Sequence, residues 1–178
     1  MTVVRKAAAA DIPAIAAIFE HTHDLEERGE TTIGWLRGVY PTEATACEAV
    51  AAGGEFVMEE DGVILAAARI DQVQVDCYAK AHWMYDAAPE QVMVLHTLVV
   101  DPAARGRGCG KRFVAFYESY AREHGCLYLR MDTNQKNTAA RRLYAGLGYR
   151  EAGIVPTTFN GIPDVGLVCL EKKLEARA

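Results

Sequence analysis

The sequence predicts an α/β fold, a central β-sheet flanked by helices, and three observations predict it. Candidate elements of both kinds alternate along the whole chain in the order β, α, α, β, β, β, α, β, α, β, β. Asp61-Gly62, set between two apolar runs, is a favoured pair for a two-residue hairpin turn. A β-branched run, Gln91 to Val100, passes through a glycine-rich turn directly into a helix. The 178 residues suit one compact domain, 1–178, with no repeat, low-complexity tract or linker to divide it.

Taken in order, Val3 to Arg5 reads as a short strand. Asp11 is placed to cap a helix that has Pro13 in its first turn and Ile12, Ile15, Ile18 and Phe19 on one face. The polar stretch His21 to Glu30 reads as a loop or frayed end. Gly34 to Tyr40 is a short element carrying Trp35 and ended by Pro41. Thr42, with Thr45 and Glu48, opens an alanine-rich helix that stops at Gly53-Gly54. Glu55 to Glu60 and Val63 to Ile70 are the hairpin strands. Asp71 to Glu90 is polar and aromatic without a clear period, and within it Tyr78 to Pro89 is the candidate for a lid. Past the glycine turn, Gly110 to His124 is a helix with Phe113, Phe116, Tyr117 and Tyr120 at helical spacing. Cys126 to Met131 is a strand, and Asn137 to Leu147 a helix with Ala140, Leu143 and Leu147 together. Two last strands, Glu151 to Phe159 and Val165 to Lys172, flank a turn at Asn160-Gly-Ile-Pro163.

Bulk properties narrow the function. A net charge of −5 and a pI near 5.5 argue against a nucleic-acid partner. Basic residues cluster locally around the glycine turn, at Arg105, Arg107, Lys111 and Arg112. The five cysteines show no Cys-x-x-Cys, and His21-x-His23 has no further ligands at sensible spacing, so no metal is expected. With no signal-peptide pattern and no membrane-length apolar run, the expectation is a cytoplasmic protein with reduced thiols and no membrane partner.

The segment Leu98 to Lys111 is the most informative. Arg105, Gly108 and Gly110 fit Arg-x-x-Gly-x-Gly, with side chains missing where main-chain N–H groups would converge ahead of a helix. That is an arrangement for an anion such as a pyrophosphate. The spacing of Gly106, Gly108 and Gly110 does not meet the dinucleotide fingerprint, and Lys111 does not complete a Walker motif. A second pattern lies downstream, Asn137-x-x-Ala140-x-x-Leu143-Tyr144-x-x-x-Gly148-Tyr149.

Together the two patterns resemble the GNAT superfamily of N-acetyltransferases, with specific motifs from Leu98 to Tyr149 and a similar element order over the rest. The resemblance implies a mixed, splayed central sheet and transfer of an acetyl group from acetyl-CoA to an amine. It implies that Arg105, Gly106, Arg107, Gly108, Cys109, Gly110 and Lys111 form the pyrophosphate loop. By the same resemblance, Leu98, Val99 and Val100 pair with the pantetheine arm as an added strand would. Asn137 falls where family members contact the cofactor, and Tyr144 where many protonate the leaving thiolate.

The reaction needs a neutral amine, yet an alkyl amine is neutral in roughly one molecule per thousand or fewer at pH 7. A base or a desolvating site is therefore useful. Family members often carry a carboxylate on the strand before the loop, where this chain reads Leu95-His96-Thr97-Leu98. His96 is the candidate base, the alternative being a histidine satisfied within the sheet. Alternation puts His96 and Thr97 on opposite faces unless a bulge intervenes. Asp132 is a second candidate, read rather as a turn-capping carboxylate, and Glu90 reads as a solvated charge. Tyr144 reads as an acid or as an aromatic packed beneath the cofactor. Trp35, Tyr40, Tyr78, Trp83, Tyr85 and Phe159, with Asp71, Asp76 and Asp86, are candidates for a small cationic amine, or else cover the sheet or a subunit contact. A non-catalytic acyl-CoA-binding module is the alternative function, and a homodimer through the C-terminal strands is a possible assembly.

Overall fold

The computed structural model describes residues 2–176. Seven strands form one sheet: β1 (Thr2–Lys6), β2 (Glu55–Glu60), β3 (Val63–Asp71), β4 (Val92–Val100), β5 (Tyr128–Asn134), β6 (Arg150–Phe159) and β7 (Ile162–Lys173). Their spatial order is β1-β2-β3-β4-β5-β7-β6, and every neighbouring pair is antiparallel except β4–β5. Four helices complete it: α1 (Ile12–Glu27), α2 (Glu43–Ala51), α3 (Cys109–Glu123) and α4 (Thr138–Gly146).

Two features of β4 position the site. Its parallel pairing with β5 covers only Val92 to Leu95 against Tyr128 to Met131, and beyond that point the strands part. The buried Tyr117 hydroxyl of α3 donates to the Met93 carbonyl at 2.6 Å and lies 3.1 Å from that of Arg130, tying the two strands where they still pair. The second feature is a bulge. Ala67 pairs with Val99 but Arg69 with His96, so Thr97 and Leu98 together oppose Ala68. Thr97 sits at φ +54, a costly conformation for a β-branched residue. The extra residue reverses the alternation: Val92, Val94 and His96 share a face with Val99, while Leu98 and Val100 turn to the other.

Three cores hold the sheet. On one face α3 and α4 bury Phe113, Val114, Tyr117 and Tyr144 against Phe56, Ala68, Met93, Leu129 and Met131, with Ala140, Leu143 and Leu147 packed alongside as their spacing predicts. The opposite face carries two separate clusters. One packs Ile15, Ile18 and Phe19 of α1 and Ala46 of α2 on Val57, Ala67 and Val99. The other packs Tyr78 on Val92, Val94, Val155, Leu167 and Cys169.

Some sequence expectations change. His21 to Glu27 is helical, because Thr22 and His23 are buried and continue the apolar side of α1. The last turn is two residues, Asn160-Gly161, with Ile162 and Pro163 already in β7. The segment between β3 and β4, which holds the Tyr78 to Pro89 stretch, covers one face of the sheet and is tied to it at several points. The Trp83 indole N–H donates to the Tyr78 carbonyl at 2.8 Å, and the Arg130 guanidinium stacks 4.2 Å from the Trp83 ring centroid. The Met84 N–H donates to the buried Glu171 carboxylate at 2.7 Å. Among the described residues, no helix is long and apolar enough to cross a membrane.

Candidate active site

The opening between β4 and β5 joins two hollows. The first follows the glycine turn. A short 3-10 turn, Pro102–Ala104, leads into it, its first N–H groups organised by Asp101 accepting from Ala103 at 2.8 Å. Gly106 and Gly108 both take left-handed φ, +77 and +76, and a Cβ at either would meet nothing within 4 Å. Their openness serves the space above the turn, where the N–H groups at the start of α3 are presented. Gly110 has another role. It lies inside α3, where a Cβ would stand 3.3 Å from the Leu143 side chain, so its absence lets α3 and α4 approach.

Arg105, Gly106, Gly108, Cys109, Gly110 and Lys111 line this cleft with Leu98, Val99 and Val100. Arg105 and Lys111 are exposed and make no ion pair among the described residues. Arg107 instead pairs with Glu60, away from the cleft. Val99 and Val100 bond to β3 on one side only, because the partner on the other side has splayed away. That free edge is a template for an extended ligand. Asn137 caps α4, its Oδ1 accepting from the Ala140 N–H at 3.1 Å, and lines both hollows.

The second hollow is a cavity of about 360 Å³ between the α1–α2 cluster and the cover segment. Four residues form a row across its floor. Glu55 pairs with Arg69 and Arg69 with His96, and Asp132 follows the last β4–β5 pair as His96 does. All four line the cavity, and so do Thr97 and Leu98, because the bulge defeats strict alternation.

The row is electrostatically uneven. His96 Nε2 lies 3.0 Å from the Val73 carbonyl and 3.3 Å from Asp71 Oδ1. Burial pushes Asp71 up, but the hydrogen bonds from His96, the Val73 N–H and Arg69 outweigh it and hold the carboxyl below its usual range. Asp132 is no turn cap. It stands inside β5 and accepts from the Tyr78 hydroxyl at 2.6 Å, and burial pushes its carboxyl up against that bond and the nearby His96. Burial likewise raises Tyr144, with the Asp132 charge adding to it, and no described residue hydrogen-bonds its hydroxyl. Tyr40 bonds Thr97 through the two hydroxyls. Burial pushes it up to about 12 despite that bond, with Asp132 and Glu55 contributing.

Of the aromatic candidates, Trp35, Tyr40 and Phe159 line the cavity, whereas Tyr78, Trp83 and Tyr85 belong to the cover and to Arg130. Asp76 and Asp86 are not in its wall, and Asp71 is committed to Arg69 and His96. Glu90 is exposed at the foot of β4. Sequence reasoning missed Glu55. It is 5% exposed, lines the cavity, and its carboxyl has no hydrogen-bond or ion-pair partner among the described residues. Burial pushes it up to about 8, the Arg69 guanidinium offsetting only part of that cost.

A sheet parted along one seam, with an anion cradle at one end of the opening and a carboxylate-lined cavity at the other, is the frame of a two-substrate transferase. The sequence model of the Acetyltransferase (GNAT) family matches residues 17–149, and the chain belongs to that family as an N-acetyltransferase. Among curated relatives, the aminoglycoside N(6')-acetyltransferase type 1 of Salmonella typhimurium is 25% identical over 103 residues, 56% of this chain and 71% of that protein. The N-alpha-acetyltransferase RimI of Mycobacterium tuberculosis is 40% identical over 60 residues, 34% of this chain and 36% of its own. A GNAT-family acetyltransferase from Streptococcus agalactiae superposes with a TM-score of 0.81 at 22% identity, covering 98% of this chain and 96% of that one. The structure of yncA from Salmonella typhimurium, solved with its cofactor acetyl-CoA, gives 0.72 at 20% identity, covering 100% and 96%. At these identities the structures show the shared fold.

Proposed function

We propose that the chain transfers the acetyl group of acetyl-CoA to the amine of a small molecule, with both bound at once. The observation that carries this reading is the join. The glycine-turn cleft and the cavity share Leu98, Asn137 and Ala140, at the point where β4 and β5 part. The cleft suits CoA chemically: main-chain N–H groups from Gly106 to Gly110 with free Arg105 and Lys111 for the pyrophosphate, and the open β4 edge at Leu98 to Val100 for the amides of pantetheine. When bound, acetyl-CoA supplies an activated acetyl group, so that a carbon–nitrogen bond replaces the carbon–sulfur bond and the sulfur leaves carrying one proton.

The chain's own residues handle protons and position. The ammonium form of the acceptor gives up a proton to Asp132 or His96, or to water; β4 carries no carboxylate here, and Asp132 of β5 lines the cavity. A base of raised affinity for protons lies closer to the amine it must deprotonate than an ordinary carboxylate would. Tyr144, pushed above tyrosine's usual range, keeps its own proton far more tightly than a thiol of reference pKa about 8.5. Its contribution is a hydrogen bond to the departing sulfur, which takes its proton from water. Trp35, Tyr40 and Phe159 with Glu48 and Asp132 suit a cationic acceptor. A free-thiol release assay with acetyl-CoA and a broad amine panel tests this. Release that depends on the amine is expected; a protein that binds acetyl-CoA but gives no thiol release with any amine of the panel would be a binding module instead.

A further inference from the structure

The reacting end of the cavity is defined by Asp132, His96 and Tyr144, and Glu55 lies at its other end with no assigned task. Two strand spacings separate the backbones of Glu55 and His96, roughly 10 Å. Arg69 stands between them but is not Glu55's partner, because its Nε turns to Asp71 Oδ2 at 2.5 Å. A buried carboxyl with no hydrogen bond is costly to keep, and one facing a cavity can be satisfied from within it. Around it the wall offers Tyr40, Trp35 and the carboxyl of Glu48 from α2.

Resting on the acetyltransferase reading above, we propose that Glu55 receives a second, non-reacting ammonium group of the acceptor, making this site selective for diamines over monoamines. One nitrogen lies beside Asp132 and His96 for transfer; the other forms a charge-assisted hydrogen bond with Glu55, and the apolar chain between them crosses Trp35 and Tyr40. The second nitrogen keeps its protons and takes no part in bond making.

Trp35 lies in the wall of the cavity, so its fluorescence reports occupancy without acetyl-CoA or turnover. Cadaverine and pentylamine, equal in chain length, are titrated into the free protein, with ε-aminocaproate as the third probe. Cadaverine is expected to bind about tenfold or more tighter than pentylamine, and Glu55→Gln to erase that difference while Glu55→Asp keeps part of it. Equal affinity for the two amines, an unchanged preference in Glu55→Gln, or tightest binding of ε-aminocaproate, which would put the second contact on Arg69, overturns the proposal. A parallel melting experiment with acetyl-CoA separates the two readings. An acetyl-CoA shift in Glu55→Gln as large as in the wild type shows that the variant is folded and its donor cleft intact. Absence of any shift in the wild type sinks the donor assignment and leaves the fluorescence result to decide the role of Glu55.

Discussion

The two ends of the opening are built from different materials. At the proposed donor end the groups on offer are main-chain N–H groups and a free strand edge, and the sequence contributes by leaving side chains out at Gly106 and Gly108. At the acceptor end the working groups are side chains delivered from β2, β3, β4, β5 and the α1–α2 region, and their chemistry depends on burial. On the proposed reading, the ligand part common to every reaction of this type is held by backbone, which mutation alters little. The variable partner is met by side chains that can be exchanged without disturbing the cradle. The contrast teaches that donor and acceptor functions should be separable by mutation in this chain.

The largest expected effect comes from Gly108→Val. A branched side chain at φ +76 is strained and fills the space above the turn, so acetyl-CoA binding should weaken by about two orders of magnitude or more, read by calorimetry. Asp132→Asn should leave acetyl-CoA binding in place and cut kcat/KM by about 10²-fold, in the lower part of the range for a lost acid–base group. The sign of its pH dependence follows from the raised carboxyl: wild-type rate should fall as pH drops through that raised value, and this limb should disappear from the variant's profile. Tyr144→Phe should slow thiol release by only about tenfold, because one hydrogen bond to the sulfur is lost and no proton store is removed.

Smaller effects test the frame around the cavity. Trp83→Ala removes the ring on which Arg130 stacks and should lower Tm by roughly 5–10 °C while leaving acetyl-CoA affinity unchanged. Glu55→Gln should act on stability in a pH-dependent way. A carboxyl whose folded value rises to about 8 favours the folded state fully below its unfolded value and loses that contribution as pH climbs through 8. The variant should therefore melt a few degrees above the wild type at pH 9 and show no such advantage at pH 4.

The family and the glycine-turn fold were legible in the sequence because their signal is local. Arg105 to Lys111 and Asn137 to Tyr149 are contiguous patterns, and the order of elements around them matches the structure, so the splayed fold implied by the family resemblance is found. The acceptor end was not legible in the same way because two bulges decide it. Counting outward from the Asp61-Gly62 turn, an unbroken hairpin would set Glu55 against Ala68; the irregularity after Met58 sets it against Arg69 instead. Without the bulge at Thr97, His96 and Val99 would lie on opposite faces and the β4 wall would be different. The cover segment hid its role because Tyr78 and Trp83 are anchored by Asp132 and Arg130, residues some 50 positions away. Asp132 read as the end of a strand because β5 runs three residues further than its apolar core.

The central claim is that one continuous opening carries the thioester from the glycine turn to the amine cavity. A crystal structure of the protein with coenzyme A tests it most directly. The account predicts pyrophosphate oxygens within hydrogen-bond reach of the main-chain N–H groups from Gly106 to Gly110, the pantetheine amides paired to the β4 edge at Leu98 to Val100, and the sulfur beside the Tyr144 hydroxyl. A pyrophosphate bound away from the glycine turn, or a sulfur on the side of β4 away from Tyr144 and Asp132, would contradict it.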